Sequence, residues 1–211
     1  MWYEEFLNKY KSGISHEFLF YFNVRDVVDN YRYIDRYIYE EFIKQRNFSI
    51  VAFYDISRGL TFLEPGMEKE FNIITGNEAA GSFNAMPSKI FKYIDTVLKS
   101  TKMALFIDHV EKIIPSGNIG SLSYEERIAL IWLSEWSVNT KISAVGSCIF
   151  MLSDNLVDVS KEILKSSYRV EPVLVQLPDI NERKEYIEYL LRDGKVKTSI
   201  TIDEFAMLSS G

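Results

Sequence analysis

Asp108 is the residue of this chain best placed to do chemistry. It closes the run Met103-Ala104-Leu105-Phe106-Ile107, and His109 and Glu111 follow it. A carboxylate at the end of a buried strand can orient a magnesium ion beside the phosphates of a nucleotide, and an acid directly after it would position an attacking water. His109 stands where that second acid belongs. The plainer reading is that a parallel strand ends in a polar residue at the edge of its sheet.

Magnesium–phosphate chemistry requires a second part. A G-x-x-x-x-G-K-[ST] loop wraps phosphates in backbone N–H groups, while its Lys reaches the outer phosphates and its Ser or Thr binds the metal. After the first apolar run the chain reads Asn23-Val24-Arg25-Asp26-Val27-Val28-Asp29-Asn30, with no glycine and no lysine. Asp26 and Asp29 would repel phosphate. Gly76 and Gly81 in IITGNEAAGSF have the glycine spacing, but Ser82 stands in place of Lys and Glu78 sits inside. Only one helix separates them from the Asp108 strand, so they read as a surface loop. Gly194-Lys195 lacks an upstream glycine in register and reads as a helix C-cap.

Other candidates are single residues. Asn155, just after the fourth strand, is either a γ-phosphate sensor or a turn-capping Asn. Arg169, just before the fifth, is either a group that reaches a neighbouring subunit's nucleotide or an ordinary surface arginine. His16 and His109 lie far apart without further ligand-like spacing, so no metal site is expected. The single cysteine, Cys148 in SCIFML, reads as a buried thiol in a reducing compartment, with no Cys–His pair.

The elements that must position these residues alternate. A short amphipathic helix carries Trp2, Phe6, Leu7 and Tyr10 on one face and ends at Ser12-Gly13. Strands are expected at 17–23, 49–55, 102–108, 143–152 and 170–177, as continuous apolar runs of the kind buried on both faces. Val27, Tyr31, Ile34, Ile38 and Phe42 recur at helical spacing and predict one long helix after strand one. A short extra strand is expected around Phe71–Ile74, a helix over 88–100 with Ser88 near its start, and a short helix over 156–165. Ser123 with Glu126, Asp179 with Glu182, and Thr201 with Glu204 mark three further helix starts. This order predicts a mostly parallel sheet covered on both faces.

The chain has 211 residues, 47% of them hydrophobic, enough for one large domain or one domain plus part of another. A net charge of −6 argues against a general affinity for nucleic acid or anionic membrane. Glu4 and Glu5 are unlike a signal peptide, and no stretch approaches the ~20 apolar residues of a membrane span, so a cytoplasmic protein is expected. The 13 tyrosines either serve an interface or snorkel from helix one.

Taken together, the Asp-ended third strand, Asn155 after the fourth, Arg169 before the fifth and the segment VQLPDINERKEYIEYLL resemble an AAA+ ATPase domain. Leu177-Pro178-Asp179 to Arg183 is the most specific part of the match, and TIDEFAMLSSG resembles the lid. The resemblance covers most of the chain. It implies a five-stranded parallel P-loop-NTPase-like sheet in the order 5-1-4-3-2, an α/β core over residues 1–178 and the start of a helical lid over 179–211. With the phosphate loop missing and His109 in the acid's place, the pattern is similar to the degenerate first domain of a two-domain AAA+ subgroup of bacteria and plastids, which IVAFYDISRGL also resembles. That implies a fragment of a longer ATPase, in which this chain binds no cofactor and packs on the C-terminal AAA+ domain or on ring neighbours. In that reading Asp108 and His109 are vestiges of the magnesium site, Asn155 is sensor-like, Arg169 stands near the arginine finger, and Asp108→Ala would disturb packing rather than catalysis. Two alternatives remain: a working ATPase with an unconventional loop, which would bind ATP and Mg through Asp108, Asn155 and Arg169, or an unrelated receiver-like interaction domain.

Overall fold

The computed structural model describes residues 2–28, 32–76, 86–192 and 199–209. Tyr31, Asp29, Gly81 with the loop around it, and the Gly194-Lys195 pair lie outside the described residues.

Helix α1 (Trp2–Lys11) leads into β1 (Glu17–Phe22). A two-stranded ribbon follows, β2 (Val27–Val28) against β3 (Arg32–Tyr33), then α2 (Ile34–Ile38) and a π-helical turn over Tyr39–Ile43. Next come β4 (Ile50–Asp55), β5 (Gly59–Phe62), α3 (Pro65–Ile74), α4 (Pro87–Leu98) and β6 (Met103–Ile107). The chain continues through α5 (Val110–Ile113), α6 (Tyr124–Ser137), α7 (Thr140–Val145), β7 (Cys148–Ser153) and β8 (Val170–Val175). Helices α8 (Ile180–Arg192) and α9 (Ile202–Leu208) close it.

The sheet order is β5-β4-β6-β7-β1-β8. The five parallel strands β8, β1, β7, β6 and β4 follow the expected order 5-1-4-3-2. The sheet has six strands rather than five, because β5 turns back antiparallel on β4 and forms an edge. The hairpin loop Ile56-Ser57-Arg58 ends on Gly59 at φ 74°, the left-handed glycine that a three-residue loop requires.

Other expectations are corrected. The Phe71–Ile74 segment is helix, not strand: Pro65 starts α3 and Phe71 packs inward. Residues 140–145 form α7, which Gly146 ends at φ 82°, so the fourth strand begins only at Cys148. The long helix after strand one is broken. Ile34, Ile38 and Phe42 are buried at helical spacing, but Val27 and Val28 pair as a ribbon, and the π turn resets the helix after Ile38. Residues 156–158 and 161–164 are separate 3₁₀ turns.

Both faces of the sheet are buried. On one, Leu19, Leu105 and Ile149 meet α3 through α7. On the other, α1 and α2 cover an aromatic layer. There Phe18, Phe150, Phe106 and Phe53 lie side by side across β1, β7, β6 and β4. Their rings stack at centroid distances of 6.3, 4.9 and 5.1 Å. The burial of Cys148 within this layer pushes its thiol up to about 12. The capping boxes at Ser123 and Thr201 are both formed, and Asp179 and Glu182 exchange the same pair of bonds. No helix among the described residues is long and apolar enough to cross a membrane.

Candidate functional site

Parallel strands deliver their C-terminal ends to one edge, the edge where open α/β sheets bind ligands. Here Asp55 ends β4, Asp108 follows β6 and Asp154 follows β7, on three adjacent strands. Two arginines lie between the three aspartates. Arg58, from the β4–β5 hairpin, holds Asp55 and comes within 3.9 Å of the Asp108 carboxylate. Arg25, from the segment after β1, spans the other two. Its Nε donates to Asp154 Oδ1 at 2.6 Å and its Nη1 donates to Asp108 Oδ1. Its Nη2 is 3.0 Å from His109 Nδ1. Burial alone would lower the Arg25 pKa, but the bonds and charges of Asp108 and Asp154 outweigh it and raise the pKa.

The segment that carries Arg25 has committed much of its backbone. Asn23 N–H donates to Val175 O at 3.2 Å and Val24 N–H to Phe22 O at 3.0 Å. Val27 N–H donates to Asp26 Oδ1 at 2.8 Å. Phe22 and His109, at the ends of two of these strands, both have positive φ, 82° and 51°. A bulky residue in that region is strained, and such strain concentrates at functional edges. His109 N–H also donates to Asp108 Oδ1, at 2.8 Å.

Beside this edge a cleft of about 520 Å³ opens between the segment after β1 and helices α8 and α9. Trp2, Val27, Tyr37 and Phe205 give it apolar walls, and Asp26, Glu182 and Glu185 give it negative charge. Its basic lining residue, Arg183, is occupied by the carbonyls of Pro178 and Ala206. Lys184 ties α8 to Asp203 of α9 at 2.7 Å.

A family model described as "AAA+ chaperone, N-terminal Rossmann-like domain" matches residues 1–176. The chain belongs to that family. No curated protein matches it. Among solved structures, a chain of the "E. coli MS115-1 HORMA:CdnC:Trip13 complex" superposes with a TM-score of 0.55 at 13% identity. The match covers 93% of this chain and 60% of that one, so the chain spans less than two thirds of the neighbour's length. At that identity the likeness is one of fold.

Within this AAA+ Rossmann-like domain the residues marked from sequence separate into two groups. Asp108 and His109 sit together at the C-terminal edge. Asn155 is next to Asp154 there, and its Oδ1 accepts from Val157 N–H at 3.3 Å, capping the following 3₁₀ turn. Arg169 precedes β8 and therefore lies at the opposite edge, roughly 20 Å away by strand length. Its backbone N–H donates to Ser137 Oγ at 3.4 Å and its carbonyl accepts from Ser15 Oγ. Arg25, Arg58 and Asp154 join the site only in the fold. The available signal was an arginine after strand one in place of the expected lysine, facing two strands that each end in Asp.

Asp55 anchors this row. Burial would raise its pKa, but bonds from Ser57 Oγ and N–H and from the N–H and Nε of Arg58 prevail and hold it at about 2. An acid held below its unfolded value stabilises above that value, here 3.8, and loses the contribution as pH falls towards 2. Asp55→Ala is expected to cost about 2 kcal/mol at pH 7. Urea titrations at pH 7, 4 and 2 should show the gap to the parent protein closing with acid. A gap equal at all three would show that the carboxylate's charge is not what holds the hairpin.

Proposed function

We propose that this chain is a degenerate ATPase-like domain, one that takes neither ATP nor magnesium and serves as a structural or assembly module of a larger AAA+ ATPase. The observation that carries this reading is Arg25. A cation supplied by the chain itself spans Asp108 and Asp154, at the edge where a nucleotide's metal and phosphates would lie. The residues present fit a magnesium–nucleotide poorly. One oxygen of Asp108 already accepts from Arg25 and from His109 N–H. The amides of residues 23, 24 and 27 have internal acceptors, and Asp26 faces the cleft with Glu182 and Glu185. A triphosphate arriving here would meet acids where it needs amides and a lysine.

What remains is a scaffold with α8 and α9 arranged as the start of a lid over residues 179–211. Its natural partner is an intact P-loop domain of the same polypeptide, or a neighbour in a ring. The solved structure with a similar fold is named as an assembly of several proteins, which accords with a role in protein contacts.

Labelled ATP with magnesium, titrated against the 211-residue chain, is expected to bind no tighter than about 1 mM, the equivalent of roughly 4 kcal/mol. Micromolar binding that weakens on Asp108→Ala would reject this function and restore the reading of an unconventional phosphate loop.

A further inference from the structure

We propose that His109, Glu111 and Asp154 form a binding site for a divalent transition metal, zinc being the best match, and that Arg25 competes for it as the resident cation. The three side chains each offer a ligand atom, and these atoms lie within 4.8 Å of one another. Zinc sits ~2.0–2.2 Å from imidazole nitrogen and carboxylate oxygen, so small side-chain rotations would bring the three onto one ion.

The second observation is Glu111. Its side chain is only 5% exposed, and its Oε2 has no hydrogen-bond partner among the described residues. Its other oxygen, Oε1, lies 3.3 Å from His109 Nδ1. That nitrogen is also 3.0 Å from Arg25 Nη2. A guanidinium can only donate, so Nδ1 serves Arg25 with its lone pair or Glu111 with a proton, never both at once. The buried carboxylate thus directs Oε1 at the cluster, where its contact with His109 Nδ1 competes with Arg25, and leaves Oε2 without a partner among the described residues. Buried polar groups in this condition call for a missing partner. A metal ion supplies one: it takes the Nδ1 lone pair, the Glu111 carboxylate and Asp154 together, and water completes the shell.

The ligand types select the ion. One imidazole with two carboxylates suits zinc and its transition-metal neighbours, whereas magnesium prefers an all-oxygen shell. Asp108 is outside this set, so the site is distinct from a nucleotide's magnesium position. Sequence spacing concealed it, because Asp154 arrives from the neighbouring strand β7. Arg25 now touches both Asp154 and His109, so metal and guanidinium cannot occupy the site at once. Arg25 is partly exposed and can swing out, remaining near Asp108.

The test is a calorimetric titration of the nucleotide-free chain with zinc chloride, and in parallel with magnesium chloride. Expected are one equivalent of zinc in the micromolar range and no magnesium heat. Glu111→Gln and Asp154→Asn should each weaken zinc at least tenfold, and Arg25→Met should tighten it at least tenfold. Asp154 is exposed, so its variant gives an answer even if Glu111→Gln fails to fold. Zinc affinity unchanged in Asp154→Asn would mean an adventitious ion only and would overturn the site. Weaker zinc in Arg25→Met, or no binding at 1 mM zinc, would do the same. The ATP titration is independent of this one, so either conclusion can fail alone.

Discussion

Phe150→Ala is expected to destabilise the chain by about 3–5 kcal/mol, near the top of the range for a single core truncation. Phe150 sits in the middle of β7 with no exposed surface. Its ring is one of the two inner rings of the row across the sheet, stacked on Phe106 at 4.9 Å and on Phe18 at 6.3 Å. Phe6 of α1 and Phe42 of the π turn each approach it edge-on at 6.0 Å. Truncation would remove contacts to two neighbouring strands, to α1 and to the π turn at once. Stacked rings on neighbouring strands cannot slide inward to fill the gap without disturbing the ladder's hydrogen bonds. Each aromatic pair adds roughly 0.5–1.5 kcal/mol beyond its buried area. Urea unfolding should show a lower midpoint with an unchanged slope, and Phe150→Leu should lose much less. A loss below about 1 kcal/mol for the alanine variant would mean that the layer repacks freely and that its ring geometry matters little.

That aromatic layer also shows what could be read before any coordinates. FLFYF, IVAFYD, MALFI and CIFML are continuous apolar runs because both faces of a parallel sheet are buried, so the strands announced themselves. Their order did not come from the runs; it came from the resemblance to AAA+ domains. Short ambiguous segments failed in the expected way. FNII has apolar content that suits strand or helix, and Pro65 at the start of α3 was the overlooked deciding signal. DISRG held a hairpin signature, an Asp whose carboxylate collects loop amides and a glycine in the left-handed region, yet β5 was not expected. The helical spacing of Ile34, Ile38 and Phe42 is real, but Val27, seven residues upstream in the same phase, belongs to the ribbon and pairs with Tyr33. The site was half legible. Asp108 and His109 could be read from one strand end, since they are adjacent in sequence. Arg25 is separated from Asp108 by 83 residues and from Asp154 by 129, and only the strand order brings the three together. Glycine and lysine are missing after strand one, and the arginine that stands there shows its role only in the fold.

Glu17→Leu is expected to stabilise the chain by about 1–3 kcal/mol at pH 7, the reverse of the usual result of a core substitution. Glu17 opens β1 with no exposed surface, in register between Ile149 and Val170. Its backbone N–H donates to Ser15 Oγ at 3.0 Å. Both carboxyl oxygens are buried, with no hydrogen-bond partner among the described residues. Burial raises the pKa well above 4.5, so the folded protein holds a proton that the unfolded chain releases. The unfolded state therefore binds fewer protons above pH 4.5, and folding stability falls as pH rises through the interval up to the folded pKa. The slope is at most about 1.4 kcal/mol per pH unit. Leucine removes both the desolvated acid and this slope at nearly constant volume. His16, buried beside it and lowered by desolvation, titrates in the parent and in the variant alike, so it cancels in their difference. Urea midpoints measured from pH 4 to pH 8 should show the variant's advantage growing above pH 4.5. An advantage that stayed constant over that range would mean that Glu17 ionises equally in both states, and that the strand's first residue reaches water after all.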